Sequence, residues 1–217
     1  MMTLQGAVVL VVGATGGLGS RIAAQLEGAG AVVARSSKSA GYDLREPSVI
    51  REVLKDTNAQ HGRLDGLVVA SGVVAFGAAS DLEPATVDEL FAVNTLSPIQ
   101  LITQSQPYLT ASAREGREPF VVTLSGVVAE APVAGLAAYS ASKAGLASFV
   151  VAAAREYRRT GIRILDARPG HTGTALSEHP IAGSAPRFGV GLDPDVVAAR
   201  IVTAIVDGEK DLPSTAF

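Results

Sequence analysis

The stretch Ala7-Val8-Val9-Leu10-Val11-Val12-Gly13-Ala14-Thr15-Gly16-Gly17-Leu18-Gly19, near the start of a 217-residue chain, decides how the rest is read. Six apolar residues in a row, Ala7–Val12, predict a strand buried on both faces. The run passes directly into a glycine-rich turn, and Gly17–Leu26 then continues with the period of a helix. In this strand–turn–helix setting, glycines at 13, 17 and 19 permit a tight turn. They also let the backbone approach a pyrophosphate and allow close packing of helix on strand. The helix N-terminus adds free N–H groups and the positive end of a dipole. A glycine-rich turn alone is often only a loop; its position here points to dinucleotide binding. Thr15, Gly16 and Leu18 lie in the same cradle.

Working outward, apolar runs keep alternating with amphipathic stretches, the mark of βαβ units. Strands are predicted at Ala31–Arg35, Leu67–Ala70, Phe120–Leu124 and Ile162–Ala167. Helices are predicted at Pro47–Ala59 (Asp43 or Ser48 near its cap), Thr86–Tyr108 with a bend near Pro98, Ala138–Arg159, and Asp193–Val206 capped by Asp193. The expected fold is α/β, a Rossmann-like doubly wound parallel sheet in one domain spanning 1–217. The longest stretch without periodicity, residues 170–191, has the character of a binding lid.

Composition excludes several classes. Hydrophobic residues make up 47% of the chain and the formal net charge is -3. No basic stripe suits a nucleic acid. Cysteine is absent, and the three histidines (61, 171, 179) do not fall at metal-ligand spacing, so no metal site is expected. The run Ala7–Val12 is too short to span a bilayer and lacks the flanks of a signal peptide. We therefore expect a soluble, cytoplasmic protein without membrane contact.

Two further features carry chemistry. Tyr139-Ser140-Ala141-Ser142-Lys143 puts a phenol and an ammonium at i and i+4, on one helix face. A nearby cation favours the phenolate and is expected to draw the Tyr below its usual value of about 10, making it a proton donor or acceptor for a carbonyl or alcohol. The second strand ends Val32-Val33-Ala34-Arg35-Ser36-Ser37-Lys38, without the acidic residue that bonds the ribose 2′-OH of NAD. A guanidinium, two hydroxyls and an ammonium suit a 2′-phosphate instead, so NADP(H) is favoured and NAD(H) stays possible. Arg35 and Lys38 are otherwise solvated charges. Asp43-Leu44 can reach the adenine edge or, through Asp43, cap the next helix.

Taken in order, Gly-x-x-x-Gly-x-Gly, Asp65-x-x-Val68-x-x-x-Gly72, Asn94, Ser125, Tyr139-x-x-x-Lys143 and Pro169-Gly170 resemble the short-chain dehydrogenase/reductase family, from about Leu4 to Val206. The resemblance implies a general acid/base in Tyr139 and a ribose contact in Lys143 that also lowers the Tyr pKa. It implies a relay water at Asn94, pyrophosphate contacts from Gly13, Gly17 and Gly19, and nicotinamide contacts from Pro169, Gly170 and Thr174. Ser71-Gly72 stands where the family has Asn-Ala-Gly. A small carbonyl or alcohol substrate and a homodimer or homotetramer built on the two long helices are implied as well.

The chain also departs from the family. The family's catalytic Ser lies about thirteen residues before the Tyr; that position is Gly126, and Ser125 is one residue early. One residue of shift turns a strand side chain to the opposite face. Ser125 can still serve if the strand end bulges or the loop to Tyr139 is one residue longer. The segment after Arg35 is trimmed, so a helix and strand often found there are expected to be reduced or missing, and Glu209–Phe217 leaves little room for the last strand. His171, Arg168 and Glu130 flank the expected site without a required task, and Leu176–Arg187 names no substrate. Two readings follow: an NADP(H)-dependent oxidoreductase, or a catalytically weak NADP(H)-binding sensor or scaffold that has lost the Ser. Nothing in the chain favours an epimerase or dehydratase.

Overall fold

Val8–Val12 (β1), Val32–Ser36 (β2), Gly66–Val69 (β3), Phe120–Leu124 (β4) and Arg163–Ala167 (β5) are short runs dominated by β-branched and other apolar residues. In the computed structural model, which describes residues 1–217, they pair in parallel in the order β2-β1-β3-β4-β5. Successive side chains alternate between the two faces and build two cores. Val9, Val11, Val68, Val122 and Leu165 meet α1 (Gly17–Gly28) and α6 (Pro194–Asp207) on one face. Leu10, Val12, Leu67, Val121 and Ile164 meet α2 (Pro47–His61), α4 (Ser97–Arg114) and α5 (Ala137–Tyr157) on the other. Each fully buried Leu or Ile contributes about 1.5–3 kcal/mol, and the buried polar residues within the strands, Ser36, Thr123 and Asp166, are few.

The trimmed segment is as expected. Between β2 and α2 there is only a 3₁₀ turn, Lys38–Ala40, so β2 is the sheet edge. The last strand is reduced to one bridge between Ala167 and Leu212. Asp65 ties the fold together below the sheet: it accepts from Val8 N at 2.8 Å, Ser112 Oγ at 2.6 Å and Arg63 Nε at 2.8 Å. Burial alone would raise its pKa, but these bonds hold it below the usual carboxylate value.

The long middle helix is broken rather than merely bent. α3 (Pro84–Phe91) runs into a π turn, Ala92–Leu96, before α4 begins. Pro98, which has no N–H to donate, stands just after this turn, at the second position of α4. Caps divide in the same way. Asp193 caps α6, its side chain accepting from Asp195 N at 2.8 Å. Neither Asp43 nor Ser48 caps α2. The N-cap is Glu46, without a side-chain bond, and Pro47 sets the first turn; Asp43 is instead engaged by Arg45.

Candidate active site

The strand order reverses direction between β1 and β3, so the chain leaving each of these strands turns to a different side. A crevice opens beyond their carboxyl ends, the usual ligand position in open α/β sheets. It is a groove of about 250 Å³ lined by Gly13, Thr15 and Gly16 after β1, by Ser71 and Gly72 after β3, and by Ser37, Lys38, Asp43, Leu44 and Arg45 after β2.

The glycine turn meets the requirements of a phosphate cradle. Gly13 has φ +81°, and a Cβ there would stand 2.7 Å from Ser71 N, so only glycine fits. Gly16 caps α1 with no side-chain bond, and the first helical donor to find a backbone acceptor is Ser20 N, bonded to Gly16 O at 3.0 Å. The N–H groups of Gly17, Leu18 and Gly19 are therefore open to an anion. Thr174 covers the turn from the other side, its Cβ 2.5 Å from where a Gly17 Cβ would be. These features fit a dinucleotide pyrophosphate.

At the second strand, one expectation is corrected. Arg35 is not in the groove. It lies on the face of β2 shared with Val33, toward α1, and its guanidinium grips Glu27 through Nε at 3.1 Å and Nη2 at 2.9 Å. Ser36 is buried and acts through its carbonyl, which accepts from Gly13 N and Ala14 N. Ser37, Lys38 and Arg45 reach the groove, together with Tyr42 and with Glu89, which pairs with Arg45 at 3.4 Å. Asp43 lines it too, but Arg45 holds both its oxygens, and its pKa is pulled down to about 2, first by the Arg45 hydrogen bonds.

Tyr139 and Lys143 share one face of α5, with the ammonium 5.9 Å from the ring centroid. Lys143 Nζ donates to Leu124 O at 2.8 Å, at the carboxyl end of β4. The expected lowering of the phenol is not found. Burial pushes half-buried Tyr139 up to about 12 and Lys143 down to about 8, the latter partly offset by Asp166. The reason is geometric: the ammonium is hydrogen-bonded to a carbonyl and not to the phenol, so desolvation prevails.

The Asn94 side chain ties the π turn to the segment after β3 and to α5. Its Oδ1 accepts from Val73 N at 3.0 Å, and its Nδ2 donates to Val73 O at 2.9 Å and to Ser142 Oγ at 3.1 Å. A Cβ on Gly72 would stand 3.3 Å from both Asn94 Oδ1 and Lys143 Nζ, so these groups converge on one point. Asn94 Oδ1 keeps a second lone pair with which it could accept from a water.

Ser125 is fully buried and donates to Asp166, on the same side as Thr123, and does not line the cleft. The strand does not bulge to bring it round. Gly126 follows with φ +75° and ψ 166°, a conformation reserved for glycine. Pro169 O accepts from Val127 N at 3.0 Å, and Gly170 lies against Leu192. Part of the 170–191 stretch is paired rather than free: Phe76 N donates to Ala182 O and Ile181 N to Val74 O. His171 stacks on Phe188 at 4.3 Å.

The family model for short chain dehydrogenases matches residues 34–182. The chain belongs to the short-chain dehydrogenase/reductase family. Among its relatives, 2,3-dihydro-2,3-dihydroxybenzoate dehydrogenase of Escherichia coli K12 is 28% identical over 79% of this chain and 73% of its own. A cyclic-di-GMP-binding biofilm dispersal mediator protein of the same organism is 30% identical over 78% and 75%. A 3-ketoacyl-(acyl-carrier-protein) reductase of Brucella melitensis, solved with NADH, superposes with a TM-score of 0.87 at 21% identity, over 98% of this chain and 99% of that one, which shows the shared fold. No helix is long and apolar enough to cross a membrane.

Arg45, and the pairing of Asp166 with Thr123 and Ser125, were not among the residues picked from sequence for the site; Lys38 was, as the ammonium offered to a 2′-phosphate. A signal for the pairing was present: an acidic residue inside the apolar run Arg163–Ala167, facing hydroxyls at alternate positions of another run.

Proposed function

We propose that this chain is an NADP(H)-dependent oxidoreductase that interconverts a small carbonyl compound and its alcohol. The observation that carries the reading is the placing of Tyr139 and Lys143 on one face of α5, with Lys143 pinned to the end of β4. Gly13, Gly17, Leu18 and Gly19 would hold the pyrophosphate, with Thr15, Gly16, Ser71, Gly72 and Leu44 lining the groove. Pro169, Gly170 and Thr174 would face the nicotinamide. Bound there, the dinucleotide supplies or accepts the hydride. Tyr139, kept protonated by burial, gives its proton to the carbonyl oxygen, and the Lys143 ammonium stabilises the phenolate that remains. Asn94 would hold the water that returns a proton. NADP(H) over NAD(H) rests on Ser37, Lys38 and Arg45, with the Asp43 carboxylate already neutralised. Residues 170–191 would form the substrate lid. Exposed Leu96 and Val151 support self-association through the long helices.

One observation favours the second reading, an NADP(H)-binding sensor: Gly126 stands where the family has its Ser, and Ser125 is committed elsewhere. A relative named for binding a cyclic dinucleotide is in keeping with this. The deciding experiment is NADPH binding and oxidation by the purified protein against a panel of aldehydes and ketones, with Tyr139→Phe as control. Turnover that disappears in Tyr139→Phe supports the oxidoreductase; tight binding with no turnover supports the sensor.

A further inference from the structure

Behind Lys143 lies a carboxylate for which the mechanism above has no task. Asp166 is 3% exposed. Its Oδ1 accepts from Thr123 Oγ1 at 2.6 Å; its Oδ2 accepts from Ser125 Oγ and from Arg168 Nη1 at 3.2 Å. Thr123 is its direct neighbour in the β4–β5 register. Between Thr123 and Ser125 lies the Leu124 carbonyl, which accepts from Lys143 Nζ. One carboxylate thus grips the two side chains that flank the atom holding the ammonium.

Charge balance points the same way. A buried carboxylate is stable only when a cation matches it. Arg168 is shared among three carboxylates: Asp166, Glu130 and Asp211, the last at 2.7 Å. The Glu130 and Asp211 side chains keep 31% and 63% of their exposure, so solvent screens them. Asp166 is not screened, and its charge also acts on buried Lys143, which has no carboxylate partner of its own. The other groups around Lys143 are uncharged: Tyr139 on its own helix, the Leu124 carbonyl from β4, Asn94 from the π turn and Gly72 after β3.

We propose that Asp166 is the positioning residue for Lys143, holding the β4 end through Thr123 and Ser125 and supplying the negative charge that keeps the ammonium protonated. Ser125 is then a support for the site and not a substrate contact. The catalytic meaning of the proposal rests on the oxidoreductase reading, but its test reads Lys143 directly.

The chain has four lysines, and only Lys143 is buried, so ¹³Cε-lysine labelling resolves its titration by NMR. In the wild-type protein it should titrate near 8. Asp166→Asn, which keeps the shape and removes the charge, should lower that midpoint by about one unit. The alkaline limb of the pH–kcat profile should move by the same amount, with KM for NADPH little changed. An unmoved Lys143 midpoint in folded Asp166→Asn overturns the proposal. Asp166→Ser, also neutral and able to accept a hydrogen bond, gives the same reading if the Asn variant does not fold; failure of both to fold assigns Asp166 to the fold alone and overturns the proposal as well. A wild type without turnover would sink the oxidoreductase reading and leave the NMR titration decisive for Asp166.

Discussion

Gly126→Ser, which puts the family hydroxyl back in its sequence position, should fail to improve the protein. Space is not the obstacle, since an added Cβ would be 3.7 Å from its nearest contact, Pro169 O. The obstacle is the backbone. At φ +75° and ψ 166° Gly126 occupies a region that residues with a Cβ avoid, at a cost of about 1–3 kcal/mol. For a chain of this size a loss of ~2 kcal/mol corresponds to a Tm lower by roughly 4–8 °C. Gly126→Ala should lose as much, because the penalty belongs to the Cβ and not to the hydroxyl. Thermal unfolding of both variants and of the wild type, with NADPH turnover measured on the same samples, separates the two effects. We expect matched destabilisation and no gain in kcat. A Gly126→Ser protein as stable as wild type, with turnover raised tenfold or more, would show that the strand end readily adopts the family conformation and would refute the backbone argument.

Three further outcomes follow from the geometry. Ser125→Ala should cost about 1–3 kcal/mol of stability by leaving a buried carboxylate oxygen short of a donor. Its effect on kcat should stay well under the ~10²–10³-fold expected for losing a substrate donor; a loss of that size would return Ser125 to the substrate. Arg35→Ala should leave the NADPH/NADH preference unchanged, while Lys38→Ala should lower it roughly tenfold, the worth of one charge-assisted bond; the reverse pattern would refute the assignment. Since Lys143 is pushed down to about 8 and Tyr139 up to about 12, carbonyl reduction should be full below pH 8 and fall as pH rises through it, when the ammonium, not the phenol, loses its proton. A rate unchanged to pH 9.5 would show that the charge on Lys143 is not needed.

What was legible in the sequence was whatever depends on neighbours along the chain. Strand β4 was placed residue for residue, and the first helix and the glycine turn were placed because period and glycine spacing are local signals. The break in the middle helix was placed near Pro98, and the unwinding lies at Ala92–Leu96, just before it, because a proline cannot donate to the turn that precedes it. Arg35 shows what proximity along the chain conceals. It stands beside Ser36 and Ser37 in the sequence, yet strand parity puts it with Val33 on the α1 face, where Glu27 waits. The same parity argument, applied at β4, correctly set Ser125 against position 126.

The pKa values of the Tyr–Lys pair were not legible, because they are set by groups distant in sequence. Helical spacing brings phenol and ammonium to one face, but the sign of each shift depends on what else surrounds them. Leu124 lies 19 residues before Lys143 and takes its proton donor; Asp166 lies 23 after it and opposes the desolvation. These contacts exist only because β4 and β5 are neighbours in the sheet, with Thr123 opposite Asp166. Gly126, standing where the family has its Ser, and the Asp166 carboxylate meet at the same strand end. Gly126 offers no side chain to the cleft, while Ser125, on the other face, bonds Asp166. The oxidoreductase reading therefore depends less on a second hydroxyl in the cleft than on whether this buried network keeps Lys143 charged beside a protonated Tyr139.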